Sequence, residues 1–490
     1  MHWVLGIDIG TTATKALVLD VDTGVYHAAT SHEYRLYSDH PGWAEADPED
    51  WVAGMHEAVG LLRAARPESI VAVEAIAVCG MVPAVMVLDS RYRLLRRSIQ
   101  QNDARTGKEL AEIRQSTDTA KLFEVTGSVL NQQHVLPKLL WIRRHEPEVW
   151  AHVSHVLGSY DYVRGLLTGE FGLEANWAVE SGCYDVTRNR WMSQYLNAFG
   201  IPEAWFGPVL ESLAVAGGLD ARVAQQWGMR PGTPVIVGSA DHVASALSAG
   251  VEQEGDLLIK FGGAGDILYC TSKPQFHSQL YFDRHDLPGK YLLNGCMASS
   301  GSLVRWMLER LKADESMLPE LDRQAAQVPS GSDGVVILPY FLGEKTPLFN
   351  PDARGAIFGL MLHHTDAHLF RATLESVIYG FRHHVEVLES AGYPIRRIFA
   401  TNGGAKSSLW RQIASDCLNR PITAFPAHPG SAMGAAIVAA MGAGLFPDRP
   451  ILDVIHTERV NHEPIAANAV LYDRAYYRYR ELYERTKDLV

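Results

Sequence analysis

The run Asp8-Ile9-Gly10-Thr11-Thr12, with Lys15 close behind, is the first place in the chain where residue types and spacing could do chemistry. Small residues let successive backbone N–H groups turn inward on a phosphate, and threonine hydroxyls add donors. A nucleotide P-loop needs Lys directly after a second Gly, with a helix behind it. Here Lys15 follows Thr14 and the apolar stretch Ala16–Leu19 leads back as a strand, so Walker-type folds are excluded. Asp8 stands between Ile7 and Ile9. A carboxylate buried in such a setting is costly unless it meets a cation or hydrogen bonds. The run therefore points to phosphate together with Mg²⁺, with Asp8 as the metal-side acid.

A second candidate is "GSADHVASALSAG", which sets Asp241 and His242 just after the strand-like Pro234–Val237. Open α/β sheets place reactive groups at the carboxyl ends of their strands. A carboxylate there could take the proton of an attacking hydroxyl, whereas His242 suits a structural or helix-start role better than that of a base. Gly403-Gly404 precedes a helix in "ATNGGAKSSLW", and Gly301 opens another with Arg305 one turn on. Glycine at a helix start allows close approach of a base, ribose or phosphate. The small-residue run "PGSAMGAAIVAA" from Pro429 reads as a helix built for close packing.

The elements that must hold these groups follow from local pattern. Trp3, Leu5, Ile7 and Ile9 alternate, a glycine turn follows, and the chain returns, which reads as a hairpin. Pro48–Leu62 has helical periodicity, with Asp47 as N-cap and Pro48 at the first helical position. Residues 70–89 read as two buried strands joined by a turn rather than a membrane span, because Glu74, Gly80 and Pro83 interrupt them. Residues 106–170 are mostly helical, and 171–192 are loop-rich. Near residue 250 the pattern restarts: "GDLLIKFGGAGDILYC" is again strand, glycine turn, strand. The economical reading is a duplication, two α/β domains each opening on a glycine hairpin and facing each other across a cleft. The expected division is 1–249, 250–446 and a helical tail at 447–490.

At 490 residues the chain exceeds one core, and its net charge of −12 opposes binding to nucleic acid or an anionic membrane. The five cysteines lie far apart, with no pairing or zinc spacing, and read as reduced thiols. The start of the chain lacks the basic segment of a signal peptide, so a cytoplasmic protein is expected.

The residues "GAIFGLMLHHTDAHLFRATLE", Gly355 to Glu375, fit the C-terminal signature of the FGGY carbohydrate kinases, and the chain resembles that family from about residue 3 to residue 445. "KLLWIRRH" from Lys138 fits the later half of the N-terminal signature, while Val135 departs from its start. Further matches are the Asp8 run, "GWAEADPEDW" from Gly42, and the pair Asp103 and Arg105. "GEKTPLFNPDARG" from Gly343 resembles the xylulose kinases within the family.

The resemblance implies an actin/hexokinase-like (ribonuclease H-like) fold and transfer of the γ-phosphate of ATP, with Mg²⁺, to a hydroxyl of a small sugar. It implies Asp241 as general base and Asp8 beside Mg²⁺. Thr11, Thr12 and Lys15 would form the first phosphate loop, and Gly262 and Gly263, before Ala264, the second. Gly301, Arg305, Gly404, Ala405 and Ser408 would line the nucleotide side, and Met81, Gln101, Asp103 and Asp241 the sugar side. Departures fall on the sugar side. Cys79-Gly80-Met81-Val82 replaces Gln-Met-His-Gly, with Val82 in place of the histidine, and Gln101-Asn102 replaces the tryptophan expected before Asp103. A ketopentose of the xylulose kind is the expected substrate. A polyol such as glycerol or erythritol is the alternative, as is a sugar-sensing protein of this fold that has lost catalysis. An actin- or chaperone-like ATPase would need an added peptide or polymer contact, for which no segment stands out. A homodimer stays open.

Overall fold

The computed structural model describes residues 1–489. It divides into two compact units that do not follow chain order. Unit 1 comprises Met1–Gly250, Phe282–Lys290 and Pro429–His456, and unit 2 comprises Val251–Tyr281, Tyr291–His428 and Thr457–Val490.

In unit 1 the opening hairpin is β1 (Trp3–Ile9) and β2 (Thr14–Asp20), extended by β3 (Tyr26–Thr30). Strands β4 (Val73–Gly80), β5 (Val215–Gly218) and β6 (Pro234–Ala240) complete a sheet in the order β5-β6-β4-β1-β2-β3. β1, β4 and β6 run parallel, and the others are antiparallel to their neighbours. Val4, Leu5, Ile7 and Ile9 are fully buried, each such side chain contributing about 1.5–3 kcal/mol. The Ser431–Gly442 helix crosses β1 at backbone distance: a Cβ on Gly6 would lie 2.1 Å from the Ala432 carbonyl oxygen. Gly434 brings the same helix against the Asp241–Ser248 helix, where a Cβ would meet Ala244 O at 2.0 Å. The small-residue run from Pro429 is thus a packing device.

Unit 2 repeats the plan. Its hairpin is β7 (Asp256–Phe261) and β8 (Gly265–Thr271), followed by β9 (Tyr291–Met297), β10 (Arg397–Thr401), β11 (Ile422–Ala424) and β12 (Val460–His462). They lie in the order β9-β8-β7-β10-β11-β12, with β7, β10 and β11 parallel. The leading three antiparallel strands and the two parallel strands beside them recur from unit 1, so the echo extends beyond the hairpins; at the far edge the antiparallel strand precedes its parallel neighbour along the chain in unit 1 and follows it in unit 2. The Ala466–Thr486 helix packs on unit 2 through buried Tyr472, Tyr476, Tyr479 and Tyr483.

The Pro48–Ala65 helix is capped by Asp47, whose side chain accepts from Glu49 N. The buried stretch expected over 70–89 begins later than its hydrophobicity suggests. Pro67–Val71 forms a short helix, and the strands are β4 and Met86–Leu88. Pro67 sits at a helix start, where its missing N–H costs nothing. The loop-rich 171–192 holds the Ala175–Glu180 helix, capped by the buried Glu174 carboxylate at Asn176 N, 2.9 Å. None of the five cysteines is in a disulfide. No helix among the described residues is long and apolar enough to cross a membrane.

Candidate functional site

Three parallel strands end together in unit 1. In register, Asp8 faces Cys79, Ile9 faces Gly80, and Ala240 faces Gly80 from the other side. Asp8 near the end of β1, Met81 after β4 and Asp241 after β6 are therefore carried to one edge. Asp8 is 8% exposed; its Oδ2 accepts from the Ser431 hydroxyl at 2.6 Å and its Oδ1 from the Cys79 thiol at 3.6 Å. Burial, then the neighbouring Asp241 carboxylate, push the Asp8 carboxyl up to about 6, while Ser431, Lys15 and Cys79 pull the other way. The Asp241 side chain is 37% exposed, so solvent or an acceptor can reach it.

The turn after β1 closes by Gly10 N to Ala13 O at 3.2 Å. Tyr34 braces it, its hydroxyl donating to Gly10 O at 2.5 Å and its N–H to Thr12 O at 2.8 Å. The Thr11 hydroxyl points to Met81 Sδ at 3.5 Å, while Thr12 and Lys15 are exposed. Thus Asp8, Thr11, Met81 and Asp241 come together.

Met81 is buried, and Gln101 is half-buried with its Oε1 lacking a hydrogen-bond partner. Asp103 is fully buried, and both its oxygens are engaged: Arg105 donates from Nη2 at 2.7 Å and Nε at 2.9 Å, and Ala44 N at 2.6 Å. The Arg105 guanidinium lies over the Trp43 and Trp141 rings, 3.7 and 4.6 Å from their centroids, and pairs with Glu45. Asp103 therefore fixes an aromatic–guanidinium stack.

In unit 2, Gly262, Gly263, Gly301, Arg305, Gly404 and Ser408 all line one cavity of about 590 Å³. Ala405 lies behind it, fully buried, its carbonyl taken by Arg411. Gly262 O and Gly263 O accept from Gly301 N (2.7 Å) and Ser300 N (2.9 Å), tying the hairpin turn to the helix start. A Cβ on Gly404 would lie 2.4 Å from the Trp410 ring and 2.6 Å from Phe261 Cβ, so only glycine lets the chain pass here. Glycines, three aromatic rings, Arg305 and Lys406 in one cavity suit a flat base carrying an anionic tail.

Sequence reading did not find Ser431, Glu180, Asp283, Phe261 or Trp410. Ser431 lies 423 residues from the Asp8 it serves, and Asp283 lies 41 from His242. No local pattern links either pair. The aromatic residues were legible only as core.

Residues 3–248 match the N-terminal domain model of the FGGY family of carbohydrate kinases, and residues 268–443 its C-terminal domain model. A crystal structure of xylulose kinase from Rhodospirillum rubrum is 41% identical, with a TM-score of 0.90, over 100% of this chain and 99% of that one. A xylulose kinase of Bacillus subtilis is 29% identical over 100% of this chain and 98% of its own length. A gluconokinase of the same organism is 27% identical over 96% and 93%. The two repeated sheets are those of the actin/hexokinase-like α/β fold.

Proposed function

The chain belongs to the FGGY family of carbohydrate kinases, phosphotransferases with an alcohol acceptor, and on that premise we propose that it transfers the γ-phosphate of ATP to a hydroxyl of a xylulose-like ketopentose. The observation that carries the reading is the meeting of Asp8 and Asp241 at the ends of neighbouring parallel strands, beside the Gly10 turn.

Phosphoryl transfer asks for placement and for charge stabilisation rather than covalent chemistry. Asp241, open to solvent at the start of its helix, takes the proton as the acceptor oxygen attacks. Thr11, Thr12, Lys15 and the Gly10 turn offer hydroxyl, ammonium and N–H donors to phosphate oxygens. Asp8 fits Mg²⁺: an oxygen donor, oriented by Ser431, whose negative charge stands beside a second acid. When bound there, the ion would supply positive charge to the transferring group. Unit 2 holds the nucleotide, with Gly404, Phe261 and Trp410 around the base side of the cavity and Gly262, Gly263, Gly301 and Arg305 toward the phosphates.

On the sugar side, Met81 and Gln101 meet the substrate, and Asp103 acts through the Arg105–Trp43 stack. The xylulose kinases among its relatives, full length in both chains, support the ketopentose. A hydrogen-bonding site can reject a substrate lacking its hydroxyl by roughly 10⁴-fold, so the replaced residues at 79–82 and 101–102 set which ketose fits best.

The test is ADP release over xylulose, other ketoses, gluconate, glycerol and erythritol, in wild type and in Asp241→Asn. Xylulose should give the highest kcat/KM, and the variant should lose at least ~100-fold in turnover while sugar and ATP still raise its Tm. Turnover within a few-fold of wild type in that variant removes Asp241 from the mechanism, and a better polyol or aldonate acceptor replaces the ketopentose.

A further inference from the structure

His242 follows the proposed base directly and faces three acids. Its Nδ1 lies 3.5 Å from Asp241 Oδ1, and its Nε2 lies 3.1 Å from Asp283 Oδ2 and 3.7 Å from Glu180 Oε1. Asp286 is a fourth acid nearby, its carboxyl pushed up to about 7 by burial, and its Oδ2 accepts from the Ser239 hydroxyl at 3.0 Å. Asp283 and Asp286 both come from Phe282–Lys290, the short segment that joins unit 1 from far along the chain. That segment thus grips the β6–helix junction on both sides of Asp241, at Ser239 and at His242.

A ring with a carboxylate off each nitrogen donates from both and is an imidazolium. Burial alone would lower the His242 pKa; the carboxylates of Asp283, Asp241 and Glu180 override it and hold the ring well above the usual histidine range. Glu180, His242 and Asp283 also lie close enough together to suggest a metal site, their ligand atoms within 4.8 Å of one another. A nitrogen that carries a proton toward Asp283 has no lone pair for a metal, so the cationic ring is the better account of the cluster.

We propose that His242 is a positioning residue for the general base: an imidazolium anchored on Asp283 that holds one oxygen of Asp241 and aims the carboxylate at the acceptor hydroxyl. The inference rests on Asp241 being the base. In the transfer step the acceptor O–H breaks to Asp241, the acceptor oxygen bonds to the γ-phosphorus, and the bond from that phosphorus to ADP breaks. His242 keeps its proton throughout.

The experiment compares kcat and KM for His242→Gln and Asp283→Asn, each alone, combined, and in the Asp241→Asn background, with Tm measured for all. His242→Gln should lower kcat by roughly 10- to 100-fold, as misaimed catalytic groups do, and leave both KM values within about three-fold. Asp283→Asn should cost less, and the combined variant no more than His242→Gln alone, because the acid acts through the ring. In the Asp241→Asn background the glutamine should cost nothing further. A full additional loss in that background, or a raised KM with kcat intact, overturns the proposal. Should His242→Gln fail to fold, Asp283→Asn carries the same comparison. If Asp241→Asn itself stays active, the base assignment fails, which is a separate result.

Discussion

The two leading hairpins share one plan and reverse one pair of charges. In the first, Asp8 on β1 is registered with Lys15 on β2; in the second, Lys260 on β7 is registered with Asp266 on β8. Both leading residues stand two positions before a turn glycine, Gly10 and Gly262. In the second hairpin the pair closes on itself, Lys260 Nζ lying 3.7 Å from Asp266 Oδ2. In the first, Asp8 turns to Ser431 and Cys79 and shares its surroundings with Asp241. The first therefore gathers negative charge where a cation is wanted, and the second settles its own. One backbone can thus serve opposite electrostatic ends, decided by which strand carries the acid.

The glycines differ as well. Gly6 in unit 1 admits a helix backbone, whereas Gly265 in unit 2 admits the Phe381 ring, whose nearest atom would lie 3.0 Å from an added Cβ. A ring can swing aside, but a helix backbone held by its hydrogen bonds cannot.

Asp8→Asn probes the charge reversal most severely. It should lower turnover on the order of 1,000-fold, the several kcal/mol of charge stabilisation that a bound metal contributes. Steady-state kinetics with saturating sugar would show it, and a loss below ten-fold would make Asp8 the equal of its counterpart. Gly6→Val comes next, since the new side chain must displace Ala432 and Ala436. A destabilisation of about 3 kcal/mol is expected from overpacking, read as the denaturant midpoint, and a shift near zero would mean the crossing is loose. Lys260→Met should matter least. Its pair is partly exposed, 12% and 28% by side chain, and such pairs contribute under about 1 kcal/mol. A large loss of activity there would place the second hairpin's charge in the chemistry too.

The hairpins and their turns were legible because they are local: alternating apolar residues on either side of a glycine leave little else for the chain to form. Asp8 was legible for a related reason, an acid set among isoleucines being a conflict that asks for a partner. The Pro67–Val71 and Ala175–Glu180 helices were not, because five or six residues carry too little periodicity and the second is held by a buried cap. The residues proposed to hold the nucleotide could be named singly from glycine spacing and family likeness. Their sharing of one cavity with Phe261 and Trp410 could not.

What the sequence by itself determined is therefore the repeated α/β plan, the glycine turns and the acids beside them, since each depends on neighbours within a few residues. Only the tertiary structure decided who serves those acids. Ser431 reaches Asp8, and Asp283 reaches His242, because strand order and helix packing bring distant segments within hydrogen-bond range. Hydrogen bonds act over about 3 Å, a distance that spacing along the chain does not encode.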